Sequence, residues 1–191
     1  MTRHFNKDTF SKFGRSDLIE LLLQYLSNDN TLKIFKTHDH VKTPERFGLN
    51  AGFDFFIPSN FCDEKSPFVL KSGDRISIAS GIKVKIPHGH ALIAFNKSGI
   101  ATKYGIQVGA QVVDENYTGE IHLSIINTSN DDFLIKPNMK IIQFVLVRVN
   151  YATPIVCNSI DELYSKEDYK ERGEKGFGST GIWIYLKKQT T

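Results

Sequence analysis

The chain has 191 residues, of which 40% are hydrophobic and 24% charged, so it can form one domain with a buried core. The net charge of +3 comes from scattered lysines and arginines, so no nucleic-acid partner is expected. The apolar runs are shorter than a membrane span and the N-terminus lacks an apolar signal segment, so no membrane association is expected. Two cysteines without metal-binding spacing favour a reducing, cytoplasmic compartment, although one disulfide between them would also fit the count.

The first predicted element is a helix over residues 16–28, within an N-terminal extension that comprises residues 1–30. Ser16 or Asp17 can cap the start of this helix. Its apolar face is formed by residues at helical spacing, namely Leu18, Leu22, Tyr25 and Leu26. Such a face has to pack against its own domain or another protein, so the extension is also a candidate segment for binding an unknown partner.

From residue 31 onward, apolar and polar residues alternate, which predicts β-strands. The predicted strands lie at residues 32–34, 76–78, 82–86, 92–95, 121–126 and 141–149. Turn-forming residues separate them near residues 72–74, 87–89, 129–132 and 136–138. Many short strands with regular turns predict an all-β core over residues 31–150, as a sandwich, barrel or jelly roll. There is no βαβ rhythm and no phosphate-binding P-loop.

Residues 151–191 are predicted to form a polar connector and a C-terminal arm with a glycine-rich segment, residues 172–181. Backbone N–H groups in such a segment can approach and bind an anion. Arg172 adds a bidentate donor suited to phosphate, and Phe177 offers a flat face for a base. The segment therefore predicts a strap that closes over a ligand with a ring and phosphates. The alternative is a disordered glycine-rich tail.

Four further segments in the β region carry polar residues that a packed sheet does not need. They are Ala51–Phe56, Asn96–Ala101, Gly109–Glu120 and Lys140–Phe144. The first and last place Asp54 and Gln143 inside apolar strands. The third is predicted to be a β-hairpin with Asp114 at its shoulder and Tyr117 near its tip. Taken singly, each polar residue is better explained as part of a solvated turn or strand end than as a site residue.

In this order, the four segments and the glycine-rich one closely resemble the five motifs of the trimeric deoxyuridine triphosphatases (dUTPases), from about residue 31 to Gly181. The resemblance implies a small jelly-roll (β-clip) barrel with an N-terminal helix and a C-terminal arm. It implies a homotrimer with shared active sites that hydrolyses dUTP to dUMP and pyrophosphate. This activity limits uracil in DNA and supplies dUMP for dTTP synthesis. The resemblance also implies Mg²⁺ bound mainly through the triphosphate and waters, with no direct protein ligand.

The resemblance also assigns roles at the base and the sugar. Asp114 would be the general base for a water that attacks the α-phosphorus in line. Tyr117 would lie under the deoxyribose and leave no room for a 2′-hydroxyl. The uracil edge would be bonded by backbone groups at Gln111, Val112, Val113 and His122. Cytosine presents the opposite polarity at its 4-position and would leave buried groups unpaired, whereas a narrow hairpin would exclude the methyl group of thymine.

A second set of roles concerns the phosphates. By resemblance, the phosphate contacts would come from Lys97, Ser98, Gly99, Gln143, Arg172, Gly178, Ser179 and Thr180. Phe177 would stack on the uracil, and Asp54 would orient the cationic side chain of Lys97.

Several positions depart from the family pattern. Lys97 stands where the family usually has arginine, so the charge remains but the bidentate fork is lost. Residues 138–140 replace a Gly-Asp-Arg sequence, Asn116 replaces an aspartate, and an apolar piece at 182–186 follows the last motif.

Three alternatives remain at this stage. The related dCTP deaminases share the fold, but Ser124 occupies the position of their catalytic glutamate. A regulatory protein built on the same scaffold could bind a partner through the helix at 16–28. A structural jelly roll with fortuitous motifs is the least favoured, because five motifs would have to match in order.

Overall fold

The computed structural model describes residues 14–16, 19 and 31–168 of the chain. The predicted helix at 16–28 and the glycine-rich segment at 172–181 therefore lie mostly or wholly outside the described residues. In the described part, a compact unit extends to Tyr151 and a second unit begins at Ala152. Within these ranges the helices are too short to span a bilayer.

Eleven strands and two short helices have both ends among residues 31–168. The strands are β1 Lys33–Lys36, β2 Gly52–Phe56, β3 Phe68–Leu70, β4 Arg75–Ala79, β5 Ile82–Lys85, β6 His90–Asn96, β7 Ile106–Val108, β8 Val112–Val113, β9 His122–Asn127, β10 Phe133–Ile135 and β11 Lys140–Arg148. The helices are α1 Ser98–Tyr104, between β6 and β7, and α2 Ile160–Leu163, in the second unit. The prediction of a mainly β chain is confirmed.

All described strand pairs are antiparallel, and most of them belong to two main sheets. One sheet has the order β2-β11-β6-β8, and the other has the order β4-β9-β7. Two further pairs are β1 with β5 and β10 with β3. In the first sheet, β11 lies between β2 and β6 and pairs with β6 from Ile142 to Arg148.

One hydrophobic cluster contains side chains from both main sheets. In β9, Leu123 and Ile125 are buried and alternate with more accessible residues, as the period of two predicts. From the other sheet, Phe144 packs on Phe55 with ring centroids 4.5 Å apart. Burial of each such side chain contributes about 1.5–3 kcal/mol. Because a shift of one residue would turn these side chains to the opposite face, the core determines the strand register.

Two features differ from the sequence predictions. The hairpin predicted across residues 109–120 is wrong in its pairing, because β8 pairs with β6 and the arms do not pair with each other. The pairing near this segment is instead between β7 and β9, where the Gly109 N–H donates to the Ser124 carbonyl. Helix α1 was not predicted. It ends at Gly105, whose φ of 65° allows its N–H to bond the Ala101 carbonyl.

Gly81 permits a tight turn between β4 and β5 that an alanine would disrupt. Its φ is 71°, and a Cβ there would clash with Cγ2 of the buried Val41. At Gly73, with a φ of 80°, no described atom lies within 4 Å of the added Cβ. We expect Gly73→Ala to lower the free energy of unfolding by about 1–2 kcal/mol, from backbone strain alone. Gly81→Ala should lower the free energy of unfolding by roughly 1–3 kcal/mol more than Gly73→Ala does, because its Cβ also overpacks the core.

Urea unfolding of both variants at one protein concentration measures this difference. Equal destabilisation of the two variants would contradict the packing role of Gly81.

Candidate functional site

A lysine–carboxylate pair lies at the end of β6. Lys97 follows the last residue of β6, and its Nζ donates to Oδ1 of Asp54 on β2. The two side chains are 26% and 25% exposed, so the pair is partly shielded from water. Nζ of Lys140 lies 4.0 Å from the second oxygen of Asp54 and 3.1 Å from Glu45. One carboxylate therefore faces two lysines.

Gln143 and Asn96 hold the backbone that carries Lys97. The Gln143 amide lies opposite Asp54 in the register of β11 and β2 and donates to the Asn96 carbonyl at 2.9 Å. A Cβ on Gly52 would collide with the Gln143 amide, so a larger residue there would displace that amide. The Asn96 side chain accepts from the Val108 N–H at 2.7 Å. The end of β6 is thus tied to strands of both main sheets.

A cavity of about 310 Å³ opens beside this pair. It is lined by Lys97, Gly99, Ile100, Lys103, Tyr104 and Lys140. Ser98 and Gly99 are the first residues of α1, and no described atom lies within 4 Å of where a Cβ on Gly99 would be. The three lysines make this cavity suitable for an anion with several charges.

The backbone of β8 lies at the edge of its sheet. The Gln111 carbonyl accepts from the Ala94 N–H at 2.8 Å, and Val112 and Val113 face Ile93 and Leu92 of β6. In an antiparallel pair, hydrogen-bonded and non-bonded residues alternate, so the backbone groups of Val112 point away from β6. Within the described residues, β8 has no second strand partner. This edge can therefore bond a planar polar ligand.

Asp114 and Tyr117 lie in the turn that follows β8. The Tyr117 N–H donates to the Asp114 carbonyl at 3.1 Å, which closes the turn. The Tyr117 hydroxyl donates to the Glu120 carbonyl at 3.0 Å, and its ring lies against Gly119, where a Cβ would clash. The ring is nevertheless 44% exposed. It is held in place and remains accessible to a ligand.

Glu115 is a residue of the site region that sequence reasoning missed. Its carboxylate accepts hydrogen bonds from the Tyr151 hydroxyl at 2.7 Å, His88 Nδ1 at 2.9 Å and the Gly89 N–H at 2.8 Å. These hydrogen bonds lower the pKa of Glu115 from 4.5 to about 2. The bond from the Tyr151 hydroxyl has the largest effect, the bond from His88 a smaller one, and the bond from the Gly89 N–H the smallest of the three. The residues that contribute these donors are 26 to 36 positions from Glu115, so no local spacing links them.

A second cavity, of about 350 Å³, lies beside Asp114. Its lining is His88, His90, Ala91, Asp114, Glu115, Asn116, Val149 and Tyr151. In the single chain, Asp114 and Lys97 therefore line different cavities. His122 is on β9 in the other sheet, and its Nδ1 lies 3.1 Å from the Glu120 carbonyl.

The remaining predicted site residues belong to the C-terminal arm. They lie outside the described residues and are Arg172, Phe177, Gly178, Ser179 and Thr180. In the described part of the chain, no group of three or more His, Cys, Asp or Glu side chains is arranged to hold a metal ion.

Most of the chain is similar to known proteins. The family model named dUTPase matches residues 41–181. A deoxyuridine 5′-triphosphate nucleotidohydrolase from Eremothecium gossypii is 40% identical over 153 residues, which cover 79% of this chain and 91% of that protein. The protein of the same name from Fusobacterium nucleatum is 40% identical over 119 residues, covering 61% and 77% respectively.

Solved structures have the same fold. The dUTPase of Staphylococcus bacteriophage 80alpha with dUpNHpp superposes with a TM-score of 0.63 at 24% identity, covering 80% of this chain and 99% of that one. A mutant dUTPase from phage phi11 of S. aureus, with a coordinated structural Mg(II) ion, superposes with a TM-score of 0.58 at 19% identity. That match covers 69% of this chain and 99% of the phage chain.

The lowered pKa of Glu115 predicts a pH-dependent contribution to stability. A carboxylate whose pKa is lower in the folded chain stabilises the fold above its unfolded pKa, near 4.5, and loses this effect as the pH falls through about 2. We expect Glu115→Gln to lower the free energy of unfolding at about pH 7. The difference from wild type should shrink below about pH 4.5 and vanish near pH 2.

Urea unfolding of both proteins across this pH range provides the measurement. A difference that stays constant down to the lowest pH would contradict the assigned hydrogen bonds.

Proposed function

This chain belongs to the dUTPase family, and we infer that it hydrolyses dUTP to dUMP and pyrophosphate. The observation that carries this conclusion is the family match over residues 41–181, which spans all five motifs. The reaction limits the incorporation of uracil into DNA and supplies dUMP for dTTP synthesis. The two cysteines, Cys62 and Cys157, have no metal-binding spacing and form no disulfide framework in the sequence, which favours a cytoplasmic location.

Asp114 is the general base in the proposed mechanism. It accepts a proton from a water whose oxygen forms a bond to the α-phosphorus, while the bond from that phosphorus to the bridging oxygen breaks and pyrophosphate leaves. Two observations support this role. Asp114 is exposed at the rim of a cavity, and its backbone is bound in a closed turn next to β8.

The nucleoside binds along β8 and the turn that follows it. The outward backbone groups of Val112 bond the uracil edge, and its neighbours Gln111 and Val113 hold this backbone against β6. His122, on β9, supplies a further backbone group to the uracil. A cytosine would place a donor where the backbone requires an acceptor. Tyr117 supports the deoxyribose, and its anchored ring leaves no room for a 2′-hydroxyl. Phe177 stacks on the uracil from the other side.

The triphosphate binds at the lysine-lined cavity. Lys97 supplies charge, held in place by Asp54, and Ser98 and Gly99 donate hydrogen bonds from the start of α1. One N–H of the Gln143 amide is bonded to Asn96, so the phosphate contact uses the other. From the arm, Arg172 clamps the terminal phosphate. The remaining contacts come from Gly178, Ser179 and Thr180.

The separation of the two cavities supports a homotrimer with shared active sites. In the single chain, the base and Lys97 line different cavities, yet one substrate must reach both. Assembly of subunits in a trimer of jelly-roll (β-clip) barrels would bring the Asp114 cavity of one to the lysine-lined cavity of another. The C-terminal arm of a subunit then closes over the site, and the N-terminal helix packs on the trimer surface.

Mg²⁺ accompanies the substrate in this proposal. The described residues hold no cluster of acidic or imidazole ligands, and Glu115 is already bonded to three donors. The chemistry of the site therefore fits an ion carried by phosphate oxygens and waters, which Mg²⁺ prefers. When bound, it neutralises charge on the leaving pyrophosphate.

Replacing the base tests the mechanism. We expect Asp114→Asn to lower kcat for dUTP by about 100- to 10,000-fold, because general-base catalysis contributes that much. Pyrophosphate release from dUTP, dCTP, dTTP and UTP is measured in parallel, with Mg²⁺. Asp131→Asn, which changes another exposed aspartate, is the matched control and should keep full activity.

Static light scattering should give each variant a mass of three times 21.6 kDa, which would show that the trimer is assembled. A variant of Asp114 with wild-type kcat would refute the assignment of the base. Conversion of dCTP to a uracil nucleotide would point to a deaminase instead.

Lys97 tests the phosphate site. We expect Lys97→Gln to lower kcat/KM for dUTP by about 100-fold or more, since a charged donor to the triphosphate is lost. Lys97→Arg should leave activity equal or higher, because the bidentate fork is restored. Lys71→Gln, which breaks an exposed ion pair with Asp132, is the control and should have no effect on kcat/KM. A large loss of kcat/KM in Lys97→Arg would show that the role assigned to Lys97 is wrong.

A further inference from the structure

We propose that Glu115 is a positioning residue that holds the backbone of Asp114 through hydrogen bonds from His88, Gly89 and Tyr151. The proposal rests on the proposed role of Asp114 as the general base. It assigns a function to the Glu115 carboxylate, which is adjacent to Asp114 in sequence but forms its hydrogen bonds with His88, Gly89 and Tyr151.

The anchor joins three parts of the fold. His88 and Gly89 belong to the turn between β5 and β6, and Tyr151 lies just beyond the end of β11. The Glu115 carboxylate accepts from all three residues, at 2.7 to 2.9 Å. The Gly89 carbonyl in turn accepts from the Val149 N–H at 2.8 Å. The chain after β11 and the turn before β6 are therefore already bonded together, and Glu115 attaches to both.

Asp114 lies between two fixed neighbours as a result. On its N-terminal side, Val113 is paired with Leu92, which is fully buried. On its C-terminal side, Glu115 is held by the three donors, and the Tyr117 N–H bonds the Asp114 carbonyl itself. With both flanking residues held, the direction of the Asp114 side chain into its cavity is restricted. A base must be placed within a fraction of an ångström of its water to act efficiently.

The charge of Glu115 strengthens the anchor. Its pKa of about 2 keeps the carboxylate ionised at neutral pH, and hydrogen bonds to an ionised acceptor are roughly twice as strong as neutral ones. The side chain is only 24% exposed, which limits competition from water. Glutamine has the same shape but no charge, so Glu115→Gln weakens the anchor without creating a cavity.

The experiment is a double-mutant cycle. Glu115→Gln and Tyr151→Phe are each made in the wild-type chain and in Asp114→Asn, and kcat and KM for dUTP are measured with Mg²⁺. Tyr151→Phe removes one donor of the anchor and is the milder change. Asp131→Asn is the control and should leave both constants unchanged. Circular dichroism and mass by light scattering establish that each variant is folded and assembled.

We expect Glu115→Gln to lower kcat about tenfold or more, with KM changed less than about threefold, because a misplaced base slows the chemistry. Tyr151→Phe should act in the same direction, less strongly. In the Asp114→Asn background, the same substitutions should change kcat by less than about twofold, because residues that act through one another are not additive.

Other results would overturn the proposal. The anchor substitutions could lower kcat by the same factor in Asp114→Asn as in the wild-type chain. That result would mean that Glu115 supports the site generally and does not act through Asp114. Unchanged kcat in both anchor variants would refute it directly. If Asp114→Asn alone retains wild-type kcat, the proposed base fails and this proposal fails with it, which the single variant reveals before the cycle is completed.

Discussion

The pairing of β6 with β11 on one side and β8 on the other determines where the polar residues of the site lie. Lys97 follows the end of β6, and Asp114 follows β8, which pairs with the middle of β6. The register of both pairs depends on buried side chains, Leu92 in β6 and Phe144 in β11. A slip of one residue would turn these side chains to the opposite face, at a cost of several kcal/mol by area burial. Core packing, which has no chemistry of its own, therefore positions the reactive groups.

The chain separates the two kinds of charge that the proposed mechanism requires. The lysines gather at one cavity, with Asp54 between two of them. The acidic residues Asp114 and Glu115 line the other. This separation keeps Asp114, the proposed base, away from the lysines of the other cavity, which would otherwise pair with its carboxylate. It also supports the proposed sharing of sites between subunits, since in the proposed mechanism one triphosphate substrate contacts both groups.

Strand alternation predicted much of the fold correctly, and its failures have identifiable causes. Residues 76–78, 82–86 and 121–126 alternate cleanly, and β4, β5 and β9 lie there. The predicted hairpin across 109–120 failed because β8 pairs with a strand from earlier in the chain. Helix α1 was missed because it is one short segment that follows a strand and contains Gly99, a poor helix former. Its clearest signal is Gly105, a left-handed C-terminal residue.

The sequence by itself determined the class of fold, the family and the chemical nature of the candidate site. Alternation and turn residues are local properties, and the order of five motifs can be read along the chain. Tertiary structure alone decided that Asp54 pairs with Lys97, that Gln143 bonds the Asn96 carbonyl, and that Glu115 is anchored. These contacts join residues 26 to 47 positions apart. No local pattern encodes them, because the partners meet only after the apolar faces of the strands have packed and set the register.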